Sequence, residues 1–539
     1  MEMPNETSIL KKLTLGIILP KKKYSKDLNN FMDWCLENPH IEIKCIVSLP
    51  LESYKTKISL YGRNILWKII LSLESFFSIA FYRKNNAMLK NYNDLEKIKK
   101  ISVDSPSGQN IKQLKSIKEC SLDLLVAFEL NDCCEYLKDL SKLGLLGFHH
   151  AEHAEKSNYP IYFEEVIKKK NKTNFTIIQM MPKIQDARLI TRGSFITHGL
   201  FLSNRKNVML RRNFYMQKIL MEIYQDKNIN GELFNLNDIT YKLKTPYISD
   251  QFRYLIHVLE LAKKRVLNIM LNKKDYWNVG INFLDWKIFD IEKSTVLKNP
   301  KNHYLADPFI VNKGSESYCF VEDYDWSKSK GTIAAYKITN QVPKRLGIVL
   351  EEPFHLSFPF IFNYKSKHYM LPESADNMDI RIYESIEFPL KWKLKSIVKE
   401  NVLAADSMIF EYNKLWWLFS NINPIGERDC CSELSIFYAD NPIDGKWRPH
   451  ENNPVIFDPS SARNGGIVFQ NNSIYRVGQN QAFGTYGGGG ISVNEIIDLT
   501  PNSYQEKSIL NISPSLHSGI RGAHHLHSEG KIAVFDFLE

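Results

Sequence analysis

The sequence has little of what marks a disulfide-stabilised or zinc-binding protein. Only eight of its 539 residues are cysteine, which is too few for a disulfide framework in so long a chain. None of them stands in a C-x-x-C pair, so the common spacing of a structural zinc site is missing and we predict no metal. Buried or idle thiols in a reducing compartment are the simplest interpretation.

Long apolar runs are also missing. The run Leu13–Leu19 is short and ends in Pro20 and three lysines, which indicates a buried strand and not a secretion signal. The stretch 63–84 is nearly apolar, but Lys68 and Glu74 leave it short of the roughly 20 apolar residues that a membrane span needs. It is either a helix packed in a core or on a partner subunit, or an interfacial helix in peripheral membrane contact. We expect a cytoplasmic protein, with a peripheral position at the inner membrane face as the alternative.

The remaining composition is that of a globular protein, with 44% hydrophobic and 24% charged residues. Residues 1–275 hold 44 Lys+Arg and 29 Asp+Glu, a balance of +15, and the remainder holds 26 and 31, a balance of −5. A basic front and a mildly acidic rear predict two modules with different partners. The positive charge of the front favours binding of a nucleotide sugar, a lipid-linked glycan or a membrane surface. The alternative is that these lysines only face solvent. No basic stripe with interleaved aromatic residues indicates nucleic acid.

Apolar runs alternate with helical patterns over the first 200 residues. Strands separated by helices predict parallel pairing with right-handed crossovers, so we predict an α/β domain over 1–205. The next segment, 206–275, has a helical pattern and is predicted to be a connector. Apolar residues at spacings of three or four predict one apolar face on a helix rich in lysine and arginine: Phe252, Leu255, Val258, Leu259, Ala262, Val266 and Ile269.

An internal repeat governs the rear of the chain. Each copy has a short β run that is followed by a second β run, as in Asp307-Pro308-Phe309-Ile310 and Tyr318 to Glu322. Equivalent positions in four copies are Phe309, Phe360, Met408 and Ile467, at separations of 51, 48 and 59 residues. About fifty residues suit one four-stranded blade. Residues 276–539 therefore predict a five-bladed β-propeller.

Chemistry-bearing residues recur at fixed places in this repeat. The first β run of each copy and the residues beside it, which we call the first column, supply Asp307, Asp406, Arg463 and His524. The second β run of each copy, the second column, supplies Glu322, Glu373, Gln479 and Asp536. Inner strands of a propeller converge on its axis, and paired carboxyl groups are what glycoside chemistry requires. We predict Asp307 and Glu373 as catalytic, and Glu322, Asp406, Arg463 and His524 as substrate-binding. The alternative is that these groups bridge blades, or bind sugar hydroxyls without catalysis.

The rear half resembles the five-bladed propellers of the arabinanase and fructosidase clan of glycoside hydrolases, through Ala306-Asp307-Pro308-Phe309 and Tyr369 to Glu373. It resembles more closely the N-terminal propeller of plant glucosamine inositolphosphorylceramide transferases and their bacterial relatives. That resemblance is carried by Trp277-x-x-Gly280, Phe320-Val321-Glu322, Phe358-Pro359-Phe360, Pro372-Glu373-Ser374 and Tyr486-Gly487, besides the Asp307 motif. The hydrolase clan has an Asp in the second blade, where this chain has Ser357-Phe358-Pro359.

The front half resembles the formyltransferases that use 10-formyltetrahydrofolate, with a Rossmann-like fold. The resemblance rests on Gly147-Phe148-His149-His150 and on the order of the segments up to Ile190. It implies that His149 stabilises the oxyanion on the formyl carbon, that Asp186 manages the proton of the amine, and that His150 contacts substrate. Gly147 stands where the family has Asn or Ser, and Gln185 stands at the family's Asp position.

Together the two resemblances imply a carbohydrate-modifying transferase of surface-glycan biosynthesis (O-antigen, capsule or glycolipid), acting by formyl or acyl transfer to an amino sugar. One alternative is glycosyl transfer or hydrolysis in the propeller, with a degenerate front domain. Another is a glycan-binding protein without catalysis. The sugar, the donor and the oligomeric state stay open.

Overall fold

The computed structural model divides the chain into two compact units. It describes residues 12–20, 26–49, 59–81, 97–103, 111–128, 130, 132–149, 159–184, 186–226, 229–234, 246–272, 274–288, 291–426, 429–483, 486–514 and 519–539. The front unit comprises 1–169, 173–193 and 198–265, and the rear unit comprises 170–172, 194–197 and 266–539.

The front unit contains an eight-stranded sheet in the order β3-β2-β1-β4-β5-β6-β7-β8. Its strands are β1 (Leu13–Pro20), β2 (Ile41–Leu49), β3 (Lys99–Ser102), β4 (Leu124–Ala127), β5 (Leu145–His149), β6 (Lys172–Met180), β7 (Ala187–Ile196) and β8 (Glu232–Phe234). The first five pair in parallel, and β6 pairs antiparallel with β5. Strand β4 is buried along its whole length, as expected for a parallel strand covered on both faces. The predicted α/β alternation is therefore present.

Helices accompany this sheet. They are α1 (Lys26–Glu37), α2 (Ser59–Phe81), α3 (Ile111–Lys118), α4 (Asp132–Leu137), α5 (Phe163–Ile167), α6 (Phe201–Asp226) and α7 (Ile248–Met270). An aromatic core joins α2, α5 and α7, where the Trp67 and Phe163 rings lie 5.1 Å apart and the Phe163 and Tyr254 rings also 5.1 Å apart. Within the described residues, no helix is long and apolar enough to cross a membrane.

The predicted connector, 206–275, contains α6, β8 and α7. In the structure it is not a separate module, because β8 pairs with β7 and the front unit extends to Arg265. The predicted apolar face of α7 is buried only in part. Val258 is 1% exposed, whereas Phe252 and Leu259 are 52% and 50% exposed, and Tyr254 and His257 are buried in their place.

The rear unit consists of five blades of four strands each, which pair antiparallel within a blade. A parallel pair, Val468 with Ser528, joins blades 4 and 5 into one eight-stranded sheet. Blade 1 contains β11 (His303–Lys313), β12 (Glu316–Asp325), β13 (Lys330–Thr339) and β14 (Val342–Leu350), and blade 2 contains β15 (Ser357–Tyr364), β16 (Lys367–Ser374), β17 (Asp379–Glu387) and β18 (Lys391–Glu400). Blade 3 contains β19 (Leu403–Tyr412), β20 (Leu415–Asn423), β21 (Ser435–Ala439) and β22 (Arg448–Pro449). Blade 4 contains β23 (Arg463–Gln470), β24 (Ser473–Gln479), β25 (Ile491–Thr500) and β26 (Ser503–Ile512). Blade 5 combines β27 (Leu526–Glu529) and β28 (Ile532–Leu538) with β9 (Trp277–Asn282) and β10 (Thr295–Val296). The inner strands β11, β15, β19, β23 and β27 contact one another in this order, and β27 also contacts β11. The predicted propeller is confirmed.

Strand β9 closes the ring, because it pairs with β28 from the far end of the sequence. Gly280 lies opposite Phe535, and a Cβ atom at Gly280 would stand 2.4 Å from the Cζ of that ring. The close approach of the two strands explains the glycine of the Trp277-x-x-Gly280 motif.

Candidate functional site

Bulges in the inner strands aim two aspartates at the axis. The pairing of β11 with β12 shifts register between Ala306 and Phe309, and β19 has the same irregularity at Asp406. Asp307 and Asp406 have φ of 49° and 46°, and Phe358 has 45° at the equivalent place in blade 2. Bulges re-aim a side chain at the cost of a ladder pair, and Asp tolerates this backbone region better than most residues. The two predicted acids therefore occupy equivalent places in blades 1 and 3.

Asp307 lies in a buried cluster with His524 and Asp536. Asp536 Oδ2 accepts a hydrogen bond from the Asp307 backbone N–H at 3.0 Å and lies 2.7 Å from His524 Nδ1. Asp536 Oδ1 accepts from the backbone N–H groups of His524 and His525, at 3.1 and 2.9 Å. One ligand atom from each of Asp307, His524 and Asp536 lies within 4.8 Å of the other two, a spacing that could hold a cation. The absence of a metal stays a prediction.

Burial and neighbouring charge separate the proton affinities in this cluster. Burial, with the nearby Asp536 and Asp406, raises the pKa of Asp307 to about 7, although His524 opposes the shift. Burial alone would lower the pKa of His524, but Asp536 and Asp307 raise it above its usual range. Burial alone would raise the pKa of Asp536, yet His524 and the backbone hydrogen bonds hold it low. His524 and Asp536 therefore form an ion pair, beside which Asp307 changes its charge near neutral pH.

A second cluster surrounds Asp406. Arg463 donates from Nε to Asp406 Oδ2 at 2.6 Å and from Nη2 to Oδ1 at 3.3 Å, and Gln479 Nε2 donates to Oδ2 at 3.0 Å. The Asp406 backbone N–H donates to Glu373 Oε2 at 3.2 Å, and Arg463 Nη2 lies 3.7 Å from the same oxygen. The fork of hydrogen bonds from Arg463 fixes the Asp406 carboxylate across the boundary between blades 3 and 4.

Two glutamates from the second strands of blades 1 and 2 complete the acidic set. Glu322 pairs with Ala306 across β11 and β12, and Glu373 pairs with Ser357 across β15 and β16. Burial raises the pKa of Glu322 well above its usual range, and Asp307 adds to the shift. Burial and Asp406 do the same to the pKa of Glu373, against the opposing charge of Arg463. Both carboxyl groups therefore keep a proton to higher pH than an ordinary glutamate does.

One oxygen of Glu322 is buried without a hydrogen bond. Glu322 is 5% exposed, and its Oε1 has no hydrogen-bond partner within the described part of the chain. His355 Nε2 lies 3.7 Å from this oxygen. A buried carboxyl oxygen without a partner is costly, and protonation of the group lowers that cost.

Aromatic rings border the acids. The Trp277 ring stacks on His524 with centroids 3.9 Å apart and planes at 15°, and the Tyr486 ring lies 5.3 Å from His524. Arg463 lies over Tyr486 at 5.2 Å. Tyr486 is 42% exposed, and a Cβ at the following Gly487 would lie 3.1 Å from the Trp277 ring. Aromatic faces beside a few polar groups are typical of small-ligand sites.

A separate cavity of about 350 Å³ opens at the hairpin end of the inner strands, and Phe362, Phe410 and Phe469 are among its lining residues. None of the acids above lines it. The rings of Phe309 and Phe358 lie 4.6 and 5.3 Å from the ring of buried His525, so packed side chains fill the axis next to Asp307.

The predicted front-unit residues lie near the ends of two strands. His149 is buried at the end of β5, and Asp186 is exposed just before β7. His150 and Gln185 lie outside the described residues. A Cβ at Gly147 would stand 2.5 Å from Leu130 Cδ2, so an Asn or Ser donor there would require Leu130 to move. A formyltetrahydrofolate site in the front unit stays a prediction, and no step is derived through that cofactor.

Comparison with known proteins concerns the rear unit. Residues 268–527 match the family of glucosamine inositolphosphorylceramide transferase 1, N-terminal. The rice (Oryza sativa subsp. japonica) glucosamine inositolphosphorylceramide transferase 1 is 34% identical over 250 residues, which are 44% of this chain and 33% of that protein. The Arabidopsis thaliana protein of the same name is 36% identical over 213 residues, 39% of this chain and 27% of that protein. The chain thus spans about a third or less of the length of these relatives.

Solved structures of glycoside hydrolases are only weakly similar to this chain. A family 117 glycoside hydrolase of Zobellia galactanivorans covers 49% of this chain and 90% of its own, at 12% identity and a TM-score of 0.33. The Bacillus subtilis arabinanase covers 43% of this chain and 93% of its own, at 12% identity and a TM-score of 0.30. The match to the transferase N-terminal family confirms the resemblance inferred from the Asp307 and Gly280 motifs. The family match begins at residue 268, so the front unit's resemblance to formyltransferases stays a prediction.

Sequence reasoning missed several partners in the rear site. His355 and Asn421 belong to no motif, yet His355 lies beside Glu322, and Asn421 links blades by accepting from the Asn464 backbone N–H at 2.8 Å. Asn421 lies in β20, the blade 3 strand equivalent to those of Glu322 and Glu373, so extending the second column to that blade could have found it.

Proposed function

We propose that the rear unit binds a sugar residue of a glycan or glycolipid and makes or breaks a glycosidic bond, so that the chain is a carbohydrate-modifying enzyme. One observation carries the proposal: carboxyl groups from successive blades converge with opposite proton affinities. Burial raises the pKa values of Glu322 and Glu373 well above the usual range, His524 holds the pKa of Asp536 low against burial, and the pKa of Asp307 is about 7. Paired acids and bases of this kind are the requirement for glycosyl chemistry.

In this proposal one of these groups donates a proton and another accepts one. Glu322 or Glu373, whose pKa values burial raises, donates a proton to the oxygen that leaves the anomeric carbon. Asp307, once deprotonated, accepts the proton of the attacking hydroxyl, which belongs to an acceptor sugar in transfer or to water in hydrolysis. The Asp406 carboxylate, held by Arg463, favours the positive charge that develops on the sugar ring. Tyr486 offers a partly exposed ring for the sugar face.

We further propose a lipid-linked glycan as the substrate class, with a nucleotide sugar as the donor where the reaction is transfer. Support comes from the relatives, whose names specify transfer to inositolphosphorylceramide, and from the basic front of the sequence. The second blade has Phe358 where the hydrolase clan has Asp, which favours transfer over simple hydrolysis.

The test is a screen of nucleotide sugars and lipid-linked or free glycans with the full chain, followed by Asp307→Asn. General acid–base groups contribute about 10²- to 10⁴-fold to rates, so we expect a loss of that size with sugar binding retained. Asp440→Asn, at an exposed aspartate of blade 3, is the matched control and should retain full turnover. Full activity of Asp307→Asn would contradict the proposal.

A second candidate is glycan binding without catalysis. The observation in its favour is that the carboxylate oxygens of Asp406 and Asp536 already accept hydrogen bonds from another blade or from the backbone. Tight glycan binding without turnover of any donor or acceptor would support it.

Formyl or acyl transfer in the front unit, with His149 and Asp186, is the remaining candidate. Calorimetry with 5-formyltetrahydrofolate on the wild type and on His149→Ala tests it. Heat of binding that the variant loses would support formyl transfer, and no binding by either protein would exclude it.

A further inference from the structure

Helix α2 exposes apolar side chains on the side opposite to its buried side. Ile65, Ile69 and Leu73 are 57%, 52% and 38% exposed, whereas Trp67 and Glu74 are 9% and 0% exposed. At about 100° per residue, the three exposed residues lie within one quarter of the helix circumference, and the two buried ones lie on the far side. We name Ile65, Ile69 and Leu73 the α2 stripe. Phe76, at 69% exposure, lies on the same side.

Helix α7 repeats the arrangement. Phe252, Ile256 and Leu259 are 52%, 57% and 50% exposed, while Tyr254 and His257 are buried. Residues at spacings of three and four lie on one side of a helix, so these three form a continuous α7 stripe opposite the buried residues.

The two helices turn their buried sides to one core. Tyr254 Oη donates a hydrogen bond to Glu74 Oε2 at 2.9 Å, and the Trp67 and Tyr254 rings lie 6.0 Å apart. Phe163 packs against both rings. Because the buried sides share this core, both stripes face outward from the front unit.

Positive charge accompanies the stripes. Lys68 is exposed on α2, and Arg253, Lys263, Lys264 and Arg265 are exposed on α7, against the acidic Asp250 and Glu260. The sequence up to residue 275 carries a balance of +15. Exposed apolar side chains flanked by lysine and arginine complement the acyl boundary and the anionic headgroups of a bilayer.

We propose that the α7 stripe, which lies on the helix with most of this positive charge, forms a membrane-docking surface on which the front unit lies at an anionic bilayer. A second copy of the chain fits less well, because a symmetric contact would bring the same positive charges together. The described helices are not apolar enough to span, so the α7 stripe inserts only to the headgroup boundary.

Sedimentation with vesicles tests the proposal. The full chain should bind equimolar phosphatidylcholine–phosphatidylglycerol vesicles and bind pure phosphatidylcholine vesicles more weakly, with the difference reduced by salt. Ile256→Asp and Leu259→Asp should each lower the partition coefficient about tenfold or more, because each removes an apolar side chain from the interface. Lys263→Glu with Lys264→Glu should reduce binding to the anionic vesicles only.

Matched controls lie on the propeller. Ile386→Asp changes an isoleucine that is 67% exposed, and Lys344→Glu changes an exposed lysine of β14; both should bind as the wild type does. Unchanged thermal unfolding shows that the stripe variants are folded. A wild type that stays in the supernatant with both vesicles would overturn the proposal. So would a wild-type dimer that Ile256→Asp dissociates, since the α7 stripe would then cover a second copy.

Discussion

Asp536 Oδ2 accepts a hydrogen bond from the backbone N–H of Asp307 at 3.0 Å, although the two residues lie 229 positions apart in the chain. The bond joins β28 of blade 5 to β11 of blade 1. It therefore couples closure of the propeller ring to the position of the acid that the proposed chemistry needs. Asp536→Asn should disturb both the stability of the propeller and the proton affinity of its neighbours His524 and Asp307.

The first prediction concerns the pH profile. With Asp307 as the base, kcat/KM should rise as pH increases through about 7, where this carboxyl loses its proton. His524 lowers the pKa of Asp307, so His524→Gln should move the rising limb to higher pH. Rates measured from pH 5 to 9 check both statements. A rising limb near pH 4, the range of an ordinary Asp, would assign the proton to another group.

The second prediction concerns the Arg463–Asp406 pair, whose side chains are 14% and 3% exposed. Arg463→Ala leaves a buried carboxylate without its partner and should lower the free energy of unfolding by about 3–5 kcal/mol. Adding Asp406→Asn should recover part of that loss, as a double-mutant cycle in urea would measure. The control Arg448→Ala breaks an exposed pair with Asp440 and should cost about 0–1 kcal/mol. Equal costs for the two arginines would contradict the assignment.

The third prediction concerns Tyr486, which is 42% exposed beside His524 and Arg463. Tyr486→Ala should lower sugar affinity about tenfold, since an aromatic contact contributes about 0.5–1.5 kcal/mol beyond its buried area. Tyr486→Phe should retain the affinity, and the melting temperature should change little in either variant. Phe469→Ala, at a 49% exposed ring of the separate cavity, is the control. Calorimetry with the sugar found in the screen measures the sugar affinity of each of these variants and of the wild type.

The fourth prediction concerns Glu74, whose pKa burial raises to about 7 although Tyr254 and backbone N–H groups oppose the shift. Because its folded pKa lies above the usual value of 4.5, Glu74 stabilises the fold most below pH 4.5, and the contribution is lost as pH rises through 7. Unfolding in urea at pH 4.5 and pH 8 should show a smaller pH difference for Glu74→Gln than for the wild type. Tyr254→Phe should cost about 1–3 kcal/mol at both pH values, because it deprives Glu74 and the Phe201 N–H of their partner.

Regular spacing made part of this structure predictable. The separations between Phe309, Phe360, Met408 and Ile467 led to the blades, because each copy of a β unit folds in much the same way. The acidic columns followed, since a fixed place in each repeat becomes a fixed place around the axis. The proton affinities of Asp307 and Glu322 were not predictable, because burial and the charges of other blades determine them.

The amphipathic pattern of α7 misled the prediction for the opposite reason. This helix has apolar residues on two sides, and periodicity alone cannot say which side the core covers. The structure buries Tyr254, which bonds Glu74 of α2, and leaves Phe252 and Leu259 exposed. A contact between residues 180 positions apart decided the orientation.

By itself, the amino-acid sequence determined the β repeat, the α/β alternation and the residue types available at each repeated position, because these depend on local spacing. Only the tertiary structure decided that β9 completes the last blade, that Asp307 lies against His524 and Asp536, and that α2 and α7 expose apolar stripes. Each of these depends on segments far apart in the chain meeting in space, and burial and charge at such contacts are collective properties of the fold.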